Sequence, residues 1–578
     1  MMKNRLFKLL SAILLFATCM SSWTEEGVAK QDEEKTAAPG VKPDPVLSPF
    51  GIGSCAANSK NHSKWMPQMV KIGIRDLRAF ATWWGGVEPE PGKFNWETVD
   101  AQLDYFDSIG VTTAALLIGL PKWDTKDKKG GLPMNSLDQW EKYAYELANH
   151  TKGRVKNFEV WNEAPNFTNN APASDYAKVV VAAYKGVKAA NPDAKVGLAV
   201  KSAHTNYIYQ AIRAGAKGHY DYITMHPYEV LGCVNKVPGT EPIFMSIAPT
   251  LRKMLADQDP DKVNVPIWFT EIGCGTKKGE DNQANAVVKA YTMGIAQGIA
   301  CINWFEGMDG DSGPMGLLDA KGNERPAYIA LGQLSQHLGR HPEYIGVALL
   351  NEKHYGFVFK GEKGNVLVTW AATSKPDEVD FGQPVQVVDT HTGKMTEAQK
   401  YSLTIKPIIV PSPPDKIVSE AKASKGKPFP WDGDYTNAKS VSVTYGEKNI
   451  EKGLHTKSAD EIAEDVIAYG GNARAGTVPG GTAYIVDPNF LSYASTPIEI
   501  TAMVRRNEKN NPAKLALEYE STSGYKKPEP FDIPDNKEWH KATWKIDDAQ
   551  FVATWAFNFR FATGKYCIQS VTVTKLDK

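Results

Sequence analysis

The chain lacks an excess of charge of either sign. Its 66 Lys and Arg residues balance 66 Asp and Glu residues over 578 positions, so the formal net charge is zero. Proteins that bind nucleic acids need basic residues to neutralise phosphates, so this balance disfavours DNA or RNA as a partner. Cysteine is also scarce: the chain has six, and no two form a Cys-x-x-Cys pair. Their spacing leaves any disulfide pairing open, and we predict neither a metal nor a cofactor.

Long apolar runs are missing except at the N-terminus. Lys3, Arg5 and Lys8 lead into the apolar residues 9–18, which are too few to cross a bilayer. This pattern predicts a signal peptide over residues 1–22 and a secreted, periplasmic or cell-surface protein. Cys19 follows a weak lipoprotein-processing box, so a lipid anchor at Cys19 is an alternative to ordinary cleavage. Residues 23–47 are polar and charged, and we expect a disordered linker there.

Apolar runs alternate with amphipathic stretches from residue 48 to 339. Eight runs are strand candidates: 50–56, 74–80, 112–119, 155–163, 195–200, 222–228, 266–273 and 300–306. Helical patterns with apolar spacing of three and four separate them. Eight alternations over this length predict an α/β fold, a (β/α)8 TIM barrel. A doubly wound open sheet is the competing architecture, but no G-x-G-x-x-G loop follows an early strand.

The sequence pattern after residue 339 is typical of all-β domains. Short runs between turn residues predict a small all-β domain over 340–412. A Ser- and Lys-rich stretch predicts a linker over 413–430, and a further series of short strands predicts a C-terminal β-sandwich over 431–578. The sandwich either binds carbohydrate through Trp539, Trp544 and Trp555 or keeps these residues in its core.

Two carboxylates follow apolar strand candidates inside the predicted barrel. Glu163 ends the fourth run and Glu271 lies near the end of the seventh. Active groups of such barrels lie at the carboxyl ends of the strands, so the two should face each other across the mouth. An ionisable group at the end of an apolar strand is unfavourable unless it is paired or used. Nine Trp residues between Trp65 and Trp304 also suit a protein that stacks ring faces on sugars.

Several motifs resemble clan A glycoside hydrolases, the retaining (β/α)8 enzymes, over roughly residues 48–338. Trp161-Asn162-Glu163 resembles the clan's acid/base motif, and Phe269-Thr270-Glu271 resembles its nucleophile motif. Arg78 resembles the clan's strand-two Arg, with Arg75 as the less favoured alternative. His226 and Tyr228 match its H-x-Y motif after strand six, and Trp304 matches its Trp on strand eight. Residues 84–96 resemble its W-x-x-x-E-P loop. Glu88 and Glu90 of that loop are expected to be structural. Within the clan, families 39 and 5 are nearest.

The resemblance implies an exported retaining hydrolase of polysaccharides or oligosaccharides. Glu163 would be the acid/base, with a pKa raised by an apolar setting and a nearby negative charge, and Glu271 the nucleophile. Substrate-binding residues would include Asn162, Arg78, His226, Tyr228, Trp304, Trp123 and Trp84. His226 could instead be a core histidine, and Trp83, Trp84 and Trp123 could be packing residues.

The alternative function is a non-catalytic carbohydrate-binding protein on a glycosidase-like barrel. Such a protein would be expected to have lost one of the two glutamates. Both are present. The sequence does not indicate the sugar, the linkage, the mode of attack or the oligomeric state.

Overall fold

A computed structural model describes residues 47–577 except 80–81, 129, 447–448, 458–464, 469–470, 478–479 and 508–512. The predicted signal peptide, Cys19 and all but the last residue of the predicted N-terminal linker lie outside the described residues. No helix in the described part of the chain is long and apolar enough to cross a membrane. Cys55, Cys233, Cys274, Cys301 and Cys567 are free thiols.

Eight parallel strands close into a barrel in sequence order, which confirms the predicted fold class and excludes the open sheet. The strands are β1 (Phe50–Gly53), β2 (Asp76–Ala79), β3 (Thr112–Leu117), β4 (Asn157–Val160), β5 (Lys195–Lys201), β6 (Tyr222–His226), β7 (Ile267–Ile272) and β8 (Cys301–Trp304). Ile52 pairs with Leu77 on one side and with Trp304 on the other, which closes the ring. Near-continuous apolar runs formed these strands because both of their faces are buried.

Helices cover the outside of the barrel and turn apolar faces toward it. They are α1 (Met66–Lys71), α2 (Trp84–Val87), α3 (Glu97–Ser108), α4 (Leu137–His150), α5 (Ala173–Ala190), α6 (Thr205–Ala211), α7 (Tyr228–Lys236), α8 (Glu241–Met245), α9 (Ile247–Gln258), α10 (Glu280–Ala296) and α11 (Pro326–Leu338). In α3, for example, Val99, Leu103 and Phe106 are buried, at the three- and four-residue spacing of one helix face.

A six-stranded antiparallel sheet follows the barrel in the order β13-β12-β14-β11-β10-β9. Its strands are β9 (Glu343–Leu350), β10 (His354–Gly361), β11 (Gly364–Thr369), β12 (Asp377–Asp389), β13 (Met395–Leu403) and β14 (Ile408–Pro411). The prediction of a linker over 413–430 is wrong for helix α12 (Asp415–Ser424), because Ile417, Val418 and Ala421 are buried in the core of this sheet.

The C-terminal region is built from a seven-stranded sheet, a five-stranded sheet and a two-stranded sheet. Its strands are β15 (Ser440–Thr444), β16 (Ile450–Lys452), β17 (Leu454–Thr456), β18 (Asp465–Ala468), β19 (Gly471–Ala475), β20 (Thr482–Val486), β21 (Ile498–Arg506), β22 (Lys514–Leu515), β23 (Leu517–Ser521), β24 (Gly524–Lys526), β25 (Phe531–Asp532), β26 (His540–Ile546), β27 (Phe559–Phe561) and β28 (Tyr566–Lys575).

This sandwich is joined to the barrel by a common apolar core, so it is not an independent body. Ile485, Tyr493, Val552 and Phe557 belong to the same buried cluster as the barrel residues. Polar contacts reinforce the junction: Ser202 Oγ donates to the Thr554 carbonyl oxygen at 2.6 Å, and Lys253 Nζ donates to Ser492 Oγ at 2.9 Å. The loop that contains Val552 and Thr554 therefore lies against the carboxyl end of β5.

Candidate functional site

Glu163 and Glu271 are brought together at the carboxyl ends of β4 and β7. Their nearest carboxylate oxygens lie within 4.8 Å of each other, with His226 within the same distance of both. The side chains are 17% and 11% exposed, so both are accessible from the barrel mouth. This separation is shorter than the about 6.5–9.5 Å between carboxyl groups at which one of them activates a water, and it suits a direct attack by one of them on a sugar.

The backbone around Glu163 is held in an unfavourable conformation. Trp161 and Glu163 have φ values of +70° and +52°, in the left-handed region that non-glycine residues seldom occupy. The Trp161 N–H donates to the Leu117 carbonyl oxygen at 2.8 Å, which fixes the chain just after β4. Such conformations cost about 1–3 kcal/mol each and are concentrated at functional sites. The strained segment therefore coincides with the carboxylate pair.

Arg78, on β2, is a buried guanidinium that binds three acceptors. It donates to Glu159 Oε2 at 2.6 Å, to Asn162 Oδ1 at 2.7 Å and to Glu271 Oε1. Burial opposes its charge, but the two carboxylates outweigh this effect and raise the pKa of Arg78. The alternative residue, Arg75, instead donates to the Ile109 carbonyl oxygen at 3.2 Å and does not contact the carboxylate pair.

Hydrogen bonding below the pair determines where the protons of His226 lie. Thr270 Oγ1 donates to Glu159 Oε1 at 2.8 Å, so it can only accept from His226 Nε2, which is 3.0 Å away. Nε2 therefore carries a hydrogen. On its other side, His226 Nδ1 is 3.0 Å from Glu163 Oε1 and 3.7 Å from Glu271 Oε2. A hydrogen bond between Nδ1 and Glu163 then requires one proton that the two groups share.

The expectation that the pKa of Glu163 is raised is wrong. Burial favours the neutral carboxyl, but the hydrogen bond and charge of His226, the Asn166 amide and the Lys201 ammonium lower the pKa of Glu163 to about 2. His226 shows the complementary effect: burial opposes its charge, whereas Glu271 and Glu163 raise its pKa. The carboxylate of Glu271 does lie near Glu163, but the imidazole of His226 contacts both groups and supplies the counter-charge.

Tyr228 and Asn162 complete the contacts of the pair. Tyr228 OH donates to Glu271 Oε2 at 3.2 Å, so both oxygens of Glu271 are held. Burial and the charge of Glu271 raise the pKa of Tyr228 well above its usual range, which keeps it a donor. Asn162 is partly exposed, and its carbonyl oxygen is used by Arg78.

Two of the predicted sugar-binding tryptophans are core residues. Trp84 and Trp304 are 0% exposed, so neither offers a ring face to a ligand and both predictions are wrong. Trp84 packs against Trp140 and Tyr143 and donates through Nε1 to Glu88 Oε2 at 2.6 Å. The prediction that Glu88 is structural agrees with this contact. His226 is 1% exposed and acts on the carboxylates, so its prediction as a substrate contact is also wrong.

Trp123 and Trp83 remain candidate platforms at the mouth. Both are partly buried. Trp123 donates through Nε1 to the Glu88 carbonyl oxygen at 2.8 Å and packs edge-on against Trp84. Trp83 lies on Gly119, where an added Cβ would be 1.4 Å from its Nε1. The absence of a side chain at Gly119 therefore makes room for this indole.

Sequence reasoning missed Glu159, Asn166 and Lys201. Glu159 is fully buried within β4 and anchors both Arg78 and Thr270. The feature of the sequence that could have indicated Glu159 is a single carboxylate inside the apolar run 155–163. Asn166 Nδ2 donates to Glu163 Oε2 at 3.0 Å, and Lys201 Nζ donates to Asn166 Oδ1 at 3.4 Å. Neither stands in a motif, so their roles depend on folding alone.

The sandwich also reaches this side of the mouth. The Lys201 ammonium lies 5.2 Å from the ring centroid of Trp555, and the His204 ring packs edge-on against the same indole at 6.2 Å. Trp555 is partly exposed. Through Lys201 and Asn166, a residue of the last domain is therefore two side chains away from Glu163.

A third carboxyl group lies after β8. Glu306 is fully buried, and its Oε2 accepts the Cys55 N–H at 3.0 Å. Burial raises the pKa of Glu306 to about 7, against the opposing hydrogen bonds from Cys55. This group is therefore partly protonated near neutral pH.

The donor set of Glu163, His226 and Glu271 could in principle hold a cation. However, Arg78 and Tyr228 already occupy both oxygens of Glu271, and the guanidinium supplies the positive charge. His226 uses Nε2 for Thr270 and Nδ1 for Glu163. The arrangement fits a hydrogen-bonded acid and nucleophile better than a metal centre.

No family model and no curated protein sequence matches the chain. Solved structures do. A family 39 glycoside hydrolase from the gut symbiont Bacteroides cellulosilyticus WH2 superposes with a TM-score of 0.53 at 19% identity, covering 64% of this chain and 82% of that one. Xylanase 10B from Thermotoga maritima superposes with a TM-score of 0.39 at 18% identity, and the match covers 50% of this chain and 95% of the xylanase. An exo-β-1,4-mannosidase from Opitutaceae bacterium strain TAV5 superposes with a TM-score of 0.41 at 16% identity, and the match covers 51% of this chain and 60% of the mannosidase.

Of these three similarities, the first has a TM-score above 0.5. At 19% identity it establishes a common fold. The fold that the clan A resemblance implied is thereby confirmed.

Proposed function

We propose that the protein is a retaining glycoside hydrolase that cleaves polysaccharides or oligosaccharides by double displacement. The observation that carries this proposal is the approach of the Glu163 and Glu271 oxygens to within 4.8 Å at the ends of opposed barrel strands. Retaining enzymes hold their two carboxyl groups about 5–5.5 Å apart, whereas inverting enzymes need about 6.5–9.5 Å.

In the first step, a carboxylate oxygen of Glu271 attacks the anomeric carbon as the bond from that carbon to the glycosidic oxygen breaks. The proton shared by His226 and Glu163 passes through Glu163 to the departing oxygen. An ester between the sugar and Glu271 results. Arg78 and Tyr228 bind the two oxygens of Glu271 and hold them in place until Glu271 reacts.

In the second step, water replaces the departed group and attacks the same carbon. Glu163 takes a proton from this water, the ester bond to Glu271 breaks, and the sugar leaves with its original anomeric configuration. Asn162 is placed to donate from its amide nitrogen to a sugar hydroxyl, because Arg78 already uses its oxygen.

Export is part of the proposal. The basic start and the apolar residues 9–18 support a signal peptide, which suits an enzyme whose polymeric substrate lies outside the cell. A lipid on Cys19 would hold it at the surface, and its absence would let it diffuse.

The test compares the wild type with Glu163→Ala and Glu271→Ala on aryl glycosides and on polysaccharides. Glu271→Ala should lose at least about 10³-fold in kcat/KM on both kinds of substrate, and Glu163→Ala should lose as much on polysaccharides, whose leaving groups need the acid. On aryl glycosides, Glu163→Ala should mainly lose kcat, and azide should restore this turnover because it attacks the ester without a general base. Glu90→Ala is the matched control: it lies in a loop of the same face, pairs with Lys93 at the surface and should remain fully active.

A 2-fluoro glycoside should label Glu271, and peptide mass analysis identifies the residue. An ester on another residue, or a product of inverted configuration, would refute the double displacement. Binding without any cleavage by the wild type would favour the non-catalytic alternative.

A further inference from the structure

A second cluster of carboxylates and imidazole lies in the sandwich, remote in sequence from the proposed active site. It consists of Asp432, which precedes β15, His455 on β17 and Asp487, directly after β20. One potential ligand atom from each lies within 4.8 Å of the others. His455 and Asp487 are 3% and 0% exposed, whereas Asp432 lies at the surface. The cluster is thus buried on two sides and open on the third.

Two buried atoms of the cluster have no hydrogen-bond partner. Asp487 accepts the Asn489 N–H at 2.7 Å through Oδ1, but its Oδ2 forms no hydrogen bond. His455 Nε2 is 3.5 Å from Asp432 Oδ1 and forms none either. Buried polar atoms are almost always satisfied in folded proteins, so both atoms point to a missing partner.

The imidazole is oriented as metal-bound histidines are. Its Nδ1 lies 3.0 Å from Glu451 Oε2, which directs the Nδ1 hydrogen to that carboxylate and leaves Nε2 facing Asp432 Oδ1. Histidines that bind metals usually donate their other N–H to a carboxylate in this way. The Trp431 indole stacks on His455 at 3.5 Å with an interplanar angle of 7°, which fixes the plane of the ring.

The charges also favour a divalent cation. Asp432, Glu451 and Asp487 surround one imidazole, and in the described part of the chain no Lys or Arg forms an ion pair with any of the three. A protonated His455 would balance one negative charge and would leave Asp487 Oδ2 without a donor. A cation with two charges would balance more of the cluster and bind both unsatisfied atoms.

We propose that Asp432, His455 and Asp487 bind one divalent transition-metal ion of the zinc class, with Glu451 as the support of the histidine. Imidazole nitrogen favours zinc and its neighbours over calcium or magnesium. Two ligands at 2.0–2.1 Å from a tetrahedral zinc are about 3.4 Å apart, close to the 3.5 Å between Nε2 and Asp432 Oδ1. Water would complete the open side.

The ion would tie two domains together. Asp432 belongs to the segment that also carries Phe429, whose ring packs against Tyr355 and Phe357 of the six-stranded sheet at 5.1 and 5.8 Å. His455 and Asp487 belong to the sandwich. The role is therefore structural, and it does not depend on the proposed hydrolase activity.

The test uses the full chain after treatment with EDTA. Addition of ZnCl₂ should give one tightly bound zinc, measured by elemental analysis after desalting, and should raise the melting temperature. Asp487→Asn and His455→Gln should weaken zinc binding by at least about 100-fold, and zinc should no longer raise their melting temperatures.

Two controls separate this site from other histidines. His391→Gln removes a buried histidine that contacts Asp281 and Asn285 outside any such cluster, and it should keep the zinc. Glu271→Gln alters the carboxylate pair of the barrel and should also keep it. Equal zinc affinity in Asp487→Asn and in the controls would refute the site. So would the absence of stoichiometric zinc in the wild type, or a preference for calcium.

Discussion

His226 is the side chain on which the acidity of the proposed site depends. It shares one proton with Glu163, and its own pKa is raised by Glu271. In the wild type, activity should fall at high pH only when this shared proton is lost, above the ordinary range of an imidazole.

His226→Gln should move this loss of activity to lower pH by about one to two units, because the proton must then reside on a carboxyl group alone. A pH profile of kcat/KM measures the shift. His204→Gln, whose histidine caps α6 on the barrel, is the control and should leave the profile in place. An unchanged profile in His226→Gln would contradict the shared proton.

Glu306 makes a second prediction, which concerns stability. Its pKa is raised to about 7 in the folded protein, above its unfolded value. The neutral Glu306 carboxyl therefore makes its full contribution to the free energy of unfolding below the pKa of the unfolded state, and this contribution is lost as the pH rises through about 7. Glu306→Gln, which keeps the group neutral, should be more stable relative to the wild type at pH 8 than at pH 5, by up to about 3 kcal/mol.

Urea unfolding at the two pH values checks this expectation. Glu397→Gln, at an exposed position on β13, should show no such pH-dependent difference. If Glu306→Gln and the wild type differ by the same amount at both pH values, the buried carboxyl group is not the cause.

Among the secondary-structure elements, helix α12 shows how a sequence pattern can mislead. Its Lys and Ser residues suggested a linker, yet Ile417, Val418 and Ala421 form one apolar stripe against β9. The contact is close: a Cβ added to Gly346 of β9, whose φ is +155°, would lie 1.9 Å from the Ala421 carbonyl oxygen.

Gly346→Ala should therefore push α12 from the sheet and destabilise the protein by about 1–3 kcal/mol. Calorimetry or urea unfolding measures the loss. Gly232→Ala, on the exposed side of α7 with no atom within 4 Å of the new Cβ, should be neutral or slightly stabilising. An equally stable Gly346→Ala would show that the helix is not held there.

The barrel strands and the two glutamates could be predicted because periodicity and strand ends are local properties. Glu159 could not be assigned a role, since a charge inside an apolar strand is explained only by Arg78, which lies on another strand. The burial of Trp84 and Trp304 could not be predicted either, because the sequence does not indicate which side chains pack over each ring. The lowered pKa of Glu163 follows from His226, sixty-three positions later along the chain.

At the scale of the whole molecule, residues of the sandwich and of the barrel together line one side of the barrel mouth. Trp555 lies over Lys201, and Lys201 contacts Asn166 beside Glu163. If the proposed hydrolase activity holds, we expect this partly exposed indole to stack on a sugar unit of a longer substrate.

Trp555→Ala should raise KM for oligosaccharides by about 5- to 50-fold, while kcat/KM for a small aryl glycoside changes little. Steady-state kinetics on both substrates gives the comparison. Trp539→Ala removes an indole that packs under Arg505 elsewhere in the sandwich, and it should affect neither substrate. Equal losses on both substrates would indicate a general distortion of the site and contradict a stacking role.

The shared side also affects when the mouth is completed during synthesis. Trp555 is made roughly 390 residues after Glu163. At typical elongation rates of about 5–20 residues per second, this interval lasts about 20–80 s. A nascent barrel could close its eight strands long before translation reaches the indole, so its cleft would lack one side until Trp555 has been made.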